Sequence, residues 1–224
     1  MNSFATAREP FRFYTRMQLA ELTGLKASNL EELLYYIKQV PTSSIYQHTH
    51  RYLQQHQYVS PEPPNDFAYW VSETLKESEL AEELASIDTI QYPTLRSLRE
   101  KIILTIENHL SLHPKLRQKN APDGHDFYFV KSVNFILPTN YVATNLHEFT
   151  ELLKKITLDS IYFHIFEARL RLEKGTNDFS RWIETSVGDK ELADRIAQLD
   201  PYTHTLEHLR GTIIKRITYS TVKV

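Results

Sequence analysis

Histidine, tyrosine and serine recur together in this chain, in the order a proton-transfer site could use. Positions 44–50 read SIYQHTH and positions 160–166 read SIYFHIF, so Ser-Ile-Tyr-x-His is written twice. One chemistry makes Tyr46, His48, His50 and Arg51 the polar lining of a pocket, with His48 as proton donor or acceptor and Asp66 close by. Such a pocket would suit a sugar or a phosphorylated metabolite. Trp70, set at its rim, could stack on a sugar ring or a base. The other chemistry is internal: a neutral imidazole has one donor and one acceptor to satisfy when it is buried, and His48 and His164 would do so inside the core. The internal reading is favoured, because repetition preserves what holds a fold together. Arg51 falls opposite Glu167 and His50 opposite Phe166, so the two copies differ where a pocket would be lined. At most one copy would then carry a working site.

Other chemistries find less support. The cluster HTHRYLQQH (His48, His50, His56) looks dense enough for a metal, but residues two apart on a helix point to different sides. The HExxH pair of zinc proteases and the Glu-x-x-His pairs of di-iron bundles do not occur in it. No metal and no cofactor is expected. Zero cysteines remove disulfides, thiolate ligands and a cysteine nucleophile, and five glycines form neither a phosphate-cradling loop nor a GxSxG elbow. Lys plus Arg number 26 against 28 Asp plus Glu, so no net field holds a polyanion, and nucleic acid is not expected as a partner. No apolar run is long enough for a bilayer, and the first residues lack a signal-peptide core. A soluble, cytoplasmic protein without a membrane partner is the expectation.

The motif belongs to a longer repeat. At a shift of 116 residues Phe11 and Phe13 meet Phe127 and Phe129, and TGLKASNL meets TNYVATNL. Past the motif the shift becomes 112, and NDFAYWV falls on NDFSRWI. From 65–88 against 177–200, nine of 24 positions are identical, far above chance. One more single-residue slip sets TLRSLREKII on TLEHLRGTII. These matches predict a tandem duplication, with a first repeat at 1–112, a connector at 113–126 and a second repeat at 127–224.

Each copy is punctuated alike. FRFYTRMQL and FYFVKSVNF alternate apolar and polar residues and predict strands. Gly24 and Asn140 suggest a turn before a helix start. Asn29 with Glu32, and Asn145 with Glu148, predict helix N-termini closed by a capping box. Ser43 and Asp159 are expected to cap the motif helix, Asn65 and Asn177 the next, and Thr94 and Thr205 the last. Asp88 with Arg99, and Asp200 with Arg210, are candidate ion pairs. The expected fold class is mainly α with a small β element: two units, each of about one strand and five helices, packed about a pseudo-twofold axis.

The strings LTGLKASNLEELL and SSIYQHTHRYLQQHQYVSPEPPNDFAYWV, followed by HEFTELLKKITLDSIYFHIFEARLRLEKGTNDFSRWI, resemble a prokaryotic family known only as a domain of unknown function. The resemblance spans nearly the whole chain. It implies a compact cytoplasmic protein of bacteria or archaea, and it brings no activity, cofactor or catalytic residue. The leading expectation is therefore a non-catalytic binding, regulatory or adaptor module that recognises a protein partner or a small ligand. An enzyme built on His48, Tyr46, Arg51 and Asp66 is the rival, and a homo-oligomeric scaffold joined by strand edges is the third reading.

Overall fold

Two long strands organise everything else. In this computed structural model, which describes residues 5–51, 65–172, 176–199 and 205–222, β1 (Phe11–Ala27) and β2 (Phe127–Ala143) pair antiparallel in a two-stranded sheet. The chain is otherwise mainly helical. Both strands run about twice as far as the alternating stretches suggested, because they continue through the residues expected to turn. Gly24 does adopt a left-handed φ of +80°, but it does so inside β1, while Asn140 stays in the ordinary extended region. The buried apolar side chains of each strand sit at its two ends: Phe11, Phe13 and Ala27 in β1, and Phe127, Phe129 and Ala143 in β2.

The helices of the first half are α1 (Leu30–Gln39), α2 (Thr42–Tyr46) running into a π-helical turn (Gln47–Arg51), α3 (Asp66–Glu73), α4 (Ser78–Ala85) and α5 (Leu95–Leu112). Those of the second half are α6 (Leu146–Leu153), α7 (Leu158–Tyr162) with a π-helical turn (Phe163–Glu167) leading into α8 (Ala168–Leu172), α9 (Asp178–Trp182) followed by a π-helical turn (Ile183–Val187), α10 (Lys190–Ala197) and α11 (Leu206–Val222). Helix starts follow the side chains that can close them. Asn29, Asn65, Thr94, Asn145 and Asn177 each accept a hydrogen bond from the backbone N–H three residues on, satisfying a donor the helix leaves free.

Three details differ from what the sequence suggests. Glu32 and Glu148 reach past the cap residue to accept from the N–H of Ser28 and of Thr144, so the reciprocal box is stretched by one residue. The motif helices start at Pro41, with no side-chain cap, and at Thr157, whose hydroxyl accepts from the Ser160 N–H, rather than at Ser43 and Asp159. Arg99 donates to the Val40 carbonyl and Asp88 accepts from Gln91, so the expected ion pair gives way to a helix-end contact. Asp200 lies outside the described residues.

The chain divides into two compact units, and they are cut differently from the sequence repeats. One comprises residues 1–17 and 134–224, the other residues 18–133. In the 18–133 unit, the core joins Leu30, Leu33, Ile37, Ile45, Phe67, Val71, Leu80, Leu98, Ile102 and Ile106 to Phe127 and Phe129. The first part of β2 thus completes the core of helices that come from the first half of the sequence. In the other unit, Phe11 and Phe13 pack edge-on or stacked against Phe149 and Phe179, with Trp182 edge-on to Phe11. Each unit therefore lodges the opening strand residues of the opposite half among its own helices.

Candidate functional site

The recurring motif grips a strand. In the 18–133 unit, Ser44 and His48 stand four apart on α2 and its continuation, hence on one side of the helix. The Ser44 hydroxyl donates to the Val130 carbonyl at 2.8 Å, and the His48 Nε2 accepts from the Val130 N–H at 3.0 Å. Both polar groups of one strand residue are thereby satisfied by one helix turn. An Nε2 that accepts must carry the lone pair, so Nδ1 carries the proton and donates to Asp66 Oδ2 at 2.8 Å. Asp66 opens α3, where its negative charge also faces the positive end of the helix.

The same clamp stands in the other unit. Ser160 donates to the Tyr14 carbonyl at 2.6 Å, His164 Nε2 accepts from the Tyr14 N–H at 2.9 Å, and His164 Nδ1 lies 2.8 Å from Asp178 Oδ2. His48 and His164 are both buried, and aromatic rings surround them: Phe67, Phe127 and Phe129 about His48, Phe11, Phe163 and Phe179 about His164. A second anchor sits just before each strand. The indole N–H of Trp70 donates to the His125 carbonyl and that of Trp182 to the Glu9 carbonyl, both at 2.8 Å. Trp70 is buried, away from any rim.

The remaining candidates fall beside the clamp. Tyr46 is buried and stacks on His50, with ring centroids 5.4 Å apart and planes 9° apart; Tyr162 stacks in the same way on Phe166. The Thr49 hydroxyl donates its proton to the Ile45 carbonyl, so the 2.8 Å contact with His50 Nδ1 is a bond given by the ring. Burial pushes the His50 pKa down to about 4, leaving it neutral. Arg51 closes the π-helical turn, and its side chain lies outside the described residues, as does His56. The structure thus brings His48 and Asp66 together, pairs Tyr46 with His50, and ties the Trp70 indole of α3 to the loop before β2.

Polar groups not anticipated from the sequence line the neighbouring strand positions. In the 18–133 unit, Gln18, Gln47 and Ser132 bond to one another. In the other, Arg16 and Glu167 form a buried ion pair at 2.5 Å, with the guanidinium 4.2 Å above the Tyr162 ring. Sequence alone could not join Arg16 to Glu167, 151 positions away. Among the described residues one group has side chains suited to a metal: Glu79, His109 and His113. The sequence holds a signal for this group, two histidines four apart at 109 and 113, although no histidine pair of that spacing was expected.

The strand clamp, the paired strands and the two helical units define a mainly helical fold that comparison places in a group of proteins. The chain belongs to a family of unknown function, DUF5752, whose model matches residues 8–218. It is similar to the structure of OrfY from Thermoproteus tenax, with a TM-score of 0.81 and 27% identity over 96% of this chain and 97% of that one. No curated protein matches. No described helix is long and apolar enough to cross a membrane.

Proposed function

We propose that this protein is a non-catalytic binding or regulatory module, and that its two units descend from one duplicated ancestor. One observation carries the first part: both ring nitrogens of each motif histidine are committed to the fold. A general base needs a free lone pair within reach of its substrate. The Nε2 lone pairs of His48 and His164 instead hold the backbone N–H groups of Val130 and Tyr14. Tyr46 and Trp70, the other candidates with aromatic chemistry, are buried as well. Exposed apolar side chains on β2, Phe135 and Leu137 on one face and Ile136 on the other, are surface that a protein partner can cover. The recurrence of clamp, caps and indole anchors in both units supports descent from a duplication.

The test is an incubation of the full chain with a mixed pool of metabolites, followed by mass spectrometry. No compound should be consumed in a way that depends on His48 or His164. Turnover that a folded His48→Ala variant loses would overturn the proposal. A ligand or protein that raises the melting temperature without being consumed supports it.

A further inference from the structure

Outside the clamp, the C-terminal end of α5 gathers side chains that can do chemistry. His109 lies in the last turn of this helix and His113 caps it, with the His113 N–H bonded to the His109 carbonyl at 2.9 Å. The spacing of four sets the two rings on one side of the helix, centroids 4.7 Å apart and planes tilted by 40°. From α4, Glu79 brings a carboxylate oxygen to 3.7 Å from His113 Nε2. One ligand atom from each of the three residues lies within 4.8 Å of the other two.

A second observation points to a ligand. His109 is 3% exposed, and its Nε2 is buried with no hydrogen-bond partner among the described residues. A buried polar atom left alone costs about 1–3 kcal/mol, a penalty that a ligand bound to the ring nitrogen would remove. The histidines are also not demanded by the helix itself. In the alignment of the two halves, His109 falls on Ser220, which bonds to Asp189 and leaves no imidazole at that place.

We propose that Glu79, His109 and His113 bind a divalent cation of the late transition series, Zn2+ first. Two imidazoles and one carboxylate are a donor set Zn2+ accepts in tetrahedral geometry, with a water at the fourth position. The nitrogen ligands disfavour Ca2+ and Mg2+, which take oxygen. Bonds of about 2.0–2.1 Å bring the donor atoms closer together than they now lie. Glu79 and His113 are exposed side chains free to make that move, whereas His109 is held in place by the core. The ion would tie the start of α4 to the end of α5 within the 18–133 unit, and the water position would stay open to solvent.

The experiment is a calorimetric titration of ZnCl2 into chelator-treated full-length protein, with Co2+ absorption as a second readout. The expected result is one Zn2+ per chain and the visible bands of tetrahedral Co2+. His113→Gln should weaken binding at least about tenfold, as loss of a ligand does more than loss of its outer partners, and should abolish the Co2+ bands. Glu79→Gln should weaken binding, and His125→Gln should leave it unchanged. Since His109 is buried, His109→Gln is read only if its melting curve remains cooperative; the exposed His113 decides otherwise. No binding by the wild-type chain, or equal binding by wild type and His113→Gln, would overturn the proposal.

Discussion

The clamp turns on what an imidazole can do with two nitrogens. Accepting at Nε2 and donating at Nδ1 requires the neutral ring. His50 extends the argument into solution behaviour. Its folded pKa lies near 4 against 6.5 for an unperturbed ring, so below pH 6.5 the unfolded chain binds a proton that the folded chain refuses. Stability from this group is complete above about pH 6.5 and declines as pH falls toward 4, by about 3 kcal/mol at most. His50→Phe, the residue type at the matching position Phe166, should fold and lose that share of the pH dependence. Urea denaturation between pH 7 and pH 4.5 measures it, and an unchanged slope in the variant would contradict the burial of a neutral His50.

Elements were legible where a local residue carries the signal. The asparagine caps at 29, 65, 145 and 177 could be read because a cap side chain bonds the N–H three residues on. The alternation of Phe11 and Phe13, and of Phe127 and Phe129, marked the strands for the same reason. The clamp could not be read this way. Its other half is a backbone group, 82 positions from His48 and 150 from His164, and any residue type can offer it: Val130 in one case, Tyr14 in the other. Strand length escaped too, since pairing with the other strand carries β1 and β2 through Gly24 and Asn140. The clamp makes an energetic prediction about the element it holds. His48→Ala opens a cavity and strips the Val130 N–H of its partner, costing about 3 kcal/mol, and Ser44→Ala costs about 1 kcal/mol. Because both act on one residue, the double variant measured by chemical denaturation should be non-additive; strict additivity would mean that the two side chains do not share a target.

At the scale of the molecule, the compact units interleave the halves of the sequence. Repetition in the sequence suggests a cut near residue 112, but Phe127, Phe129 and Val130 complete the core and clamp of the helices before them. A fragment of residues 1–112 lacks the strand its Ser44 and His48 hold. A fragment of residues 18–133 keeps it. The longer-range fragment should therefore melt cooperatively, whereas residues 1–112 should show no cooperative transition by circular dichroism. The reverse outcome would mean that each sequence repeat folds on its own strand.

The account rests on the two motif imidazoles being strand clamps in one fixed tautomer. A long-range proton–nitrogen correlation spectrum of the 15N-labelled chain at neutral pH reads this directly for His48 and His164. The account predicts a protonated Nδ1 and a bare, hydrogen-bond-accepting Nε2 in both rings. Protonation at Nε2 in either ring, or rapid exchange between the two tautomers, would contradict it.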